Sequence, residues 1–165
     1  MGWVRRSAAL LFVAAALTSS GAHAEPLADA SALAAARELP KGRPDVVLDR
    51  LDFPREVQGW WVYKKHLKRV LKREVRRVEW GAGTGSRIEY RFAVTRLDIE
   101  VDGDTVRVTC SATGRLPKGK TAKSHLSFGG AKSKRGDVVR RVLEIVARGV
   151  VTRLAELERE RRGYK

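Results

Sequence analysis

The chain has 165 residues, one cysteine, three histidines and a formal charge of +15. A single cysteine excludes an internal disulfide, and this length holds one domain able to bury roughly two-thirds of its unfolded surface. A net charge this high points to anionic partners rather than to any particular fold.

The first segment reads as a targeting signal. Arg5 and Arg6 form a positive start, residues 7–17 are a short apolar run, and Ala22-His23-Ala24 gives a small-x-small cleavage pattern. The run is about half of the roughly 20 residues a membrane span needs, so residues 1–24 are expected to be a secretory signal peptide. No cysteine stands near the cut to take a lipid, and the Arg pair lacks the context of twin-arginine export. The mature chain, with no transmembrane helix, is expected to be periplasmic or secreted after cleavage near Ala24. It keeps a charge of +13, of which residues 59–80 hold +6 and residues 113–136 hold +7.

Residues 25–52 read as an N-terminal arm and connector. Residues 25–40 are Ala-rich, Pro40, Gly42 and Pro44 break what precedes them, and residues 46–53 carry apolar groups without a clear period. The single domain is expected over 53–165. Asp52-Phe53-Pro54 offers a cap and a first-turn proline for a helix. On a helical wheel Trp60, Tyr63, Leu67, Val70, Leu71, Val75 and Val78 cover an arc of about 140°. Lys65, His66, Lys68, Arg69, Lys72, Arg73, Arg76 and Arg77 fill the remainder, only Lys64 and Glu74 intrude on the apolar arc, and Gly81 is the natural stop.

Alternation then replaces the helical period. Ile88, Tyr90, Phe92 and Val94 are even, whereas Leu97, Ile99 and Val101 are odd, so a β-bulge is expected at Thr95-Arg96. Val106, Val108, Cys110, Ala112, Gly114 and Leu116 continue on even positions. Asp102-Gly103 reads as a two-residue hairpin loop pairing 101 with 104, 99 with 106 and 97 with 108. Ala122, Leu126 and Phe128 line the inner face of a last strand. Asp137 is a candidate N-cap for a closing helix with a stripe at Val139, Val142, Leu143, Val146, Val150, Leu154 and Leu157. Arg140, Glu144 and Arg148 form an i, i+4 ladder opposite it, and Gly149 suggests a close approach to the sheet. Ile145 and Val151 fall off the stripe and suggest a second contact, with the basic helix or a partner chain. The fold class is therefore α+β: an antiparallel β-meander of three to four strands packed against a C-terminal amphipathic helix, plus a second, basic amphipathic helix.

Several motifs spell chemistry that their surroundings contradict. Gly114-Arg115-Leu116-Pro117-Lys118-Gly119-Lys120-Thr121 fits the P-loop NTPase pattern letter for letter. That motif needs a helix after the loop, whereas residues 121–128 alternate as a strand, so a turn is expected. Val78-Glu79-Trp80-Gly81-Ala82-Gly83-Thr84-Gly85 resembles the first glycine-rich motif of S-adenosylmethionine-dependent methyltransferases, which would imply a buried strand before it and a doubly wound sheet after it. Here an amphipathic helix precedes the glycines, too few residues follow, and a helix-to-strand loop explains them. Arg135-Gly136-Asp137 is read as a loop entering an N-cap. His66, His125 and Cys110 show no chelate spacing, so no metal is expected, and no nucleophile elbow or cofactor motif is found. His66 and His125 read as surface residues, and Cys110 as a small buried hydrophobe.

The basic face remains. Lys64–Lys68, Lys65–Arg69, Lys68–Lys72, Arg69–Arg73, Lys72–Arg76 and Arg73–Arg77 are like-charge pairs at i, i+4. At roughly 0.2–0.5 kcal/mol each they cost the helix about 1–3 kcal/mol, which a bound polyanion would recover. The expected anion-binding set is Lys65, Lys68, Arg69, Lys72, Arg73, Arg76, Lys118, Lys120 and Lys123, extended by Lys132, Lys134 and Arg135, with Trp60, Trp61 and Tyr63 as an interfacial or stacking edge. The other reading of the same residues is a solvated face on an Arg-rich protein, with the aromatics in the core. The sequence thus predicts an exported, non-enzymatic accessory or binding module of the cell envelope, without a cofactor, contacting an anionic polymer or lipid headgroups. Export would remove it from most nucleic acid. The alternatives are a protein-interaction subunit of an envelope assembly, using Ile145, Val151 and the open sheet face, and a nucleotide- or phosphate-binding protein using residues 114–121.

Overall fold

The computed structural model describes residues 42–117 and 119–164. The expected signal peptide, the Ala-rich stretch and Lys118 lie outside them. A four-stranded mixed sheet runs in the order β1 (Asp45–Asp52), β2 (Arg87–Asp102), β3 (Thr105–Arg115), β4 (Thr121–Ala131). β2, β3 and β4 are antiparallel neighbours, as a meander requires, and β1 pairs parallel with β2. A parallel neighbour needs a crossover, and helix α1 (Trp60–Arg77) provides it. A short 3-10 turn, Lys132–Lys134, leads into the long helix α2 (Arg135–Arg162). The fold is α+β.

The stretch expected as a connector is thus a strand. Its alternation is interrupted by a register shift between Leu48 and Arg50, so Val46 and Leu48 are even and Leu51 and Phe53 odd. The same device sits in β2, where the shift between Val94 and Arg96 leaves Thr95 without a pairing partner, at the expected position. The Thr95 hydroxyl donates instead to the Ser111 carbonyl. The β2–β3 register differs from expectation by two residues: Val101 pairs with Val106, Ile99 with Val108 and Leu97 with Cys110. The loop is Gly103-Asp104, because the glycine takes the first central position with φ 53°. A two-residue change preserves the faces, so Ile88, Tyr90, Phe92, Leu97, Val106, Val108 and Cys110 are all buried together. Phe128 was expected inside, but on edge strand β4 it is exposed.

α1 starts later and ends earlier than expected. The Asp52 carboxylate is taken by Arg50 Nε at 2.9 Å and does not cap; Phe53 drops into the core, and Gly59 precedes the helix in a left-handed conformation. At the other end Val78 is extended. Freed carbonyls of the last turn are met by side chains: Arg43 Nη1 donates to Arg76 O (2.8 Å) and Trp80 Nε1 to Val75 O (3.1 Å). In α2 every residue of the expected stripe is buried. Asp137 is not its N-cap: the preceding 3-10 turn begins the helix two residues earlier, and Asp137 pairs with Arg140 at 2.9 Å. Gly163, at φ 77°, closes α2 by donating to the carbonyls of Arg159 and Glu160.

Both helices pack into one continuous core with one face of the sheet, even-numbered in β3 and switching from even to odd at the bulges of β1 and β2. The closest approach is at Gly114 of β3, where a Cβ would stand 2.5 Å from Val150 Cγ1 and 2.8 Å from Leu154 Cδ1. Gly149 lies less tightly, with a Cβ position 3.3 Å from Ser124 Oγ. Among the described residues no helix is long and apolar enough to cross a membrane.

Candidate functional site

α1 has three distinct sides. Leu67, Val70 and Leu71 are fully buried and fix the helix on the core. The flank toward α2 carries the charged groups that find partners. His66 Nε2 lies 3.4 Å from Glu144 Oε1, without hydrogen-bond geometry, and Arg73 Nη2 lies 3.9 Å from the same oxygen. Glu74, only 2% exposed, receives Arg73 Nε at 3.0 Å, Arg77 Nη1 at 3.6 Å and Arg148 Nε of α2 at 3.6 Å. The acid that intruded on the apolar arc is therefore the anchor of an interhelix ion cluster. Arg140, Glu144 and Arg148 do not form a ladder along α2; the latter two reach across to α1.

Burial lowers the pKa of His66, the nearby Arg69, Arg140 and Arg73 lower it further, and Glu144 opposes them. His66 is thus a half-buried interhelix group, not the surface residue expected. Val151 shares the α1-facing side of α2 with Glu144 and Arg148 and is fully buried, whereas Ile145 is 38% exposed. The second contact suggested by Val151 is the basic helix.

The outer side of α1 is different. Trp61, Lys65, Lys68, Lys72 and Arg76 follow one another at spacings of four, three, four and four, which aligns them along one face. Trp61 is 62% exposed, and the four cations are exposed as well. Among the described residues none of Lys65, Lys68, Lys72 and Arg76 has a carboxylate within ion-pair distance. At the N-terminal end Trp60 is half-buried, with Arg55 and Lys64 each 5.8 Å from its ring centre.

Of the expected anion-binding set, the structure brings Lys65, Lys68, Arg69, Lys72 and Arg76 onto the exposed side of α1. Arg73 is drawn into the Glu74 cluster. Lys120 is exposed in the β3–β4 turn, and Lys123 projects from the face of β4 opposite the helices, so it does not join the α1 surface.

Beside α1 lies a groove of about 850 Å³, between its C-terminal half and β1. Val46 and Leu48 form one wall, Val75 and Val78 the other, and Tyr90 and Trp80 lie at its base. Lys68, Lys72 and Arg76 line it too, with Arg43 and Arg77 and two acids, Asp45 and Glu79, all of them exposed. Sequence reasoning missed this site because it missed β1. Arg43, between Gly42 and Pro44, gave no signal of its own.

The remaining chemical groups are ordinary. Cys110 is fully buried, and burial pushes its thiol up to about 12, which removes the thiolate a nucleophile needs. His125 Nδ1 and Ser111 Oγ are 2.8 Å apart as a cross-strand pair on the open face, away from the groove. Residues 114–121 join two antiparallel strands, so the phosphate-loop context is absent. No group of three or more metal-ligating side chains is found among the described residues.

No protein-family model matches the chain, and no curated protein matches it in sequence. Among solved structures, it is similar to a minor lipoprotein from Acinetobacter baumannii, at 11% identity and a TM-score of 0.43, over 69% of this chain and 92% of that one. It is also similar to the PelC dodecamer from Paraburkholderia phytofirmans, at 11% identity and a TM-score of 0.42, over 69% and 95%. A Xanthomonas campestris protein of the DUF330 family gives 12% identity and a TM-score of 0.40, over 76% and 91%. Likeness at this level transfers no residue role to this chain.

Proposed function

We propose that the protein is an exported, non-enzymatic module of the cell envelope that binds an anionic surface through the outer side of α1. The observation that carries this is the exposed line of Trp61, Lys65, Lys68, Lys72 and Arg76, with no carboxylate partner for the cations among the described residues. An indole at the end of a row of cations suits a lipid headgroup layer, where aromatic rings sit at the interface and each nearby cation contributes about 1 kcal/mol. The signal-like residues 1–24 support export, which is tested by the intact mass of the protein recovered from cell fractions: a chain beginning at Glu25 outside the cytoplasm is the expected form.

Surface binding is tested by co-sedimentation with phosphatidylglycerol-containing vesicles against phosphatidylcholine alone. Binding is expected only to the anionic vesicles. It should fall steeply as salt rises from about 0.1 M to about 1 M, where the screening length drops from roughly 10 to 3 Å. Lys65→Glu with Lys72→Glu should abolish it, and Trp61→Ala should weaken it without loss of stability. Equal binding to neutral vesicles, or binding indifferent to salt and to the charge reversals, overturns the proposal.

A further inference from the structure

We infer that the groove between β1 and α1 takes an anionic amphiphile: an acyl chain lying over Tyr90 and Trp80, with its charged head at Lys68, Lys72 and Arg76. This rests on the anion-binding reading of α1 for the head, and adds the chain, which a surface-binding helix does not require.

Four observations carry it. The volume, about 850 Å³, falls within the roughly 300–1,000 Å³ of small-molecule sites. More of its lining is apolar than polar, with Val46, Leu48, Val75 and Val78 beside Tyr90 and Trp80, which suits a hydrocarbon chain better than a compact polar metabolite. Its charge is lopsided, with five basic side chains against two acids. Lys68 and Lys72 have no ion-pair partner among the described residues, and the Arg76 guanidinium has none either. Finally, its wall is fixed in advance. The Arg43 guanidinium and the Trp80 indole hold the last carbonyls of α1, so a ligand would not have to order that end of the helix.

The same geometry disfavours a peptide adding to β1. That edge strand is broken by the register shift at Asp49 and carries the Arg50–Asp52 ion pair, both of which discourage strand pairing.

The test is titration calorimetry of the purified full chain with palmitate, laurate, hexadecanol and inorganic phosphate. Palmitate should bind at one site per chain. Laurate, four carbons shorter, should bind at least tenfold more weakly, since each buried CH₂ contributes about 0.8 kcal/mol. Hexadecanol should bind at least tenfold more weakly for want of charge, and phosphate alone should not register. Lys72→Glu should weaken palmitate binding tenfold or more, whereas Lys65→Glu, on the same side of α1 but not lining the groove, should leave it unchanged. Val46→Trp fills the groove without altering charge; it should remove palmitate binding yet leave vesicle co-sedimentation intact. Should that variant fail to fold, Lys72→Glu against Lys65→Glu still decides.

The two readings fail separately. Vesicle binding without palmitate binding overturns the groove and leaves the surface. Palmitate binding that ignores chain length, or equals that of hexadecanol, also overturns the groove. The source of the amphiphile is read by refloating phosphatidylglycerol vesicles after incubation and extracting the protein left behind. A stoichiometric phospholipid identifies a membrane source, and palmitate binding without phospholipid uptake identifies a free fatty acid. Neither ligand in the groove sinks the inference.

Discussion

Gly114→Ala sets two effects against each other, and the structure decides the sign. In a strand interior alanine is favoured over glycine by roughly 0.5–1 kcal/mol, because glycine loses more backbone entropy on folding. At Gly114, however, the new methyl would stand 2.5 Å from Val150 Cγ1 and 2.8 Å from Leu154 Cδ1. Leu154 can rotate its terminal methyl away. Val150 cannot, since a β-branched side chain in a helix has essentially one χ1 state, so α2 must lift from β3. Overpacking of this kind costs about 1–3 kcal/mol, leaving a net loss near 1–2 kcal/mol. For a domain of this size that is a fall in Tm of about 2–8 °C. Urea unfolding should show a lower midpoint at unchanged m-value. Val150→Ala should cost less in the Gly114→Ala background than in the wild type, because the two changes share one space. A Gly114→Ala protein as stable as the wild type, with additive effects at Val150, would refute the claim that this glycine exists for helix–sheet approach.

Three further expectations concern charge. Glu74→Ala should destabilise by about 1–3 kcal/mol in thermal unfolding, less than the loss of a fully buried pair, because Arg73, Arg77 and Arg148 remain largely exposed and solvated; Glu74→Leu should recover most of it. His66 has its folded pKa lowered from 6.5, chiefly by burial, so the unfolded chain takes up the proton first. Its contribution is fully present above pH 6.5 and is lost as pH falls through the folded pKa; His66→Gln should flatten stability over that window, and an unchanged slope would contradict the assignment. Burial works against the charge of Glu158, but hydrogen bonds and charges from Arg161 and Arg162 outweigh it and lower its pKa. Its stabilisation is present above the ordinary carboxylate range and fades as pH falls through the depressed value, so Glu158→Gln should be less stable than wild type at neutral pH and equal to it in acid.

What could be read from the sequence depended on whether one rule governed a stretch. In β3 alternation is uninterrupted, and Val106, Val108, Cys110 and Ala112 went to the core as expected. In β2 the phase change at Thr95 was itself informative, because four apolar residues before it and three after it defined both phases. β1 uses the same bulge, but Val47 is apolar out of phase between Val46 and Leu48, and only Leu51 and Phe53 follow Asp49, so neither phase stands out. Missing β1 hid the parallel crossover and with it the groove. Cap residues misled for a different reason: Asp52 and Asp137 could each cap a helix, but each is held by a nearby arginine, a competition that spacing does not rank.

The basic face of α1 looked continuous in sequence, yet folding divides it. Arg73 and Arg77 gain carboxylates from Glu74 and, for Arg73, Glu144, whereas Lys65, Lys68, Lys72 and Arg76 keep their mutual repulsion. Lys72 takes part in two of the like-charge pairs, with Lys68 and Arg76. Lys72→Gln should therefore stabilise the protein by about 0.4–1 kcal/mol at low salt. The gain should vanish near 1 M salt, where repulsion between exposed charges is screened. The same variant should bind anionic vesicles and palmitate more weakly. A residue whose removal strengthens the fold and weakens binding is kept for its ligand. If Lys72→Gln instead lowers stability at every salt concentration, the lysine is packed for structure, and the outer side of α1 loses its claim to be a binding surface.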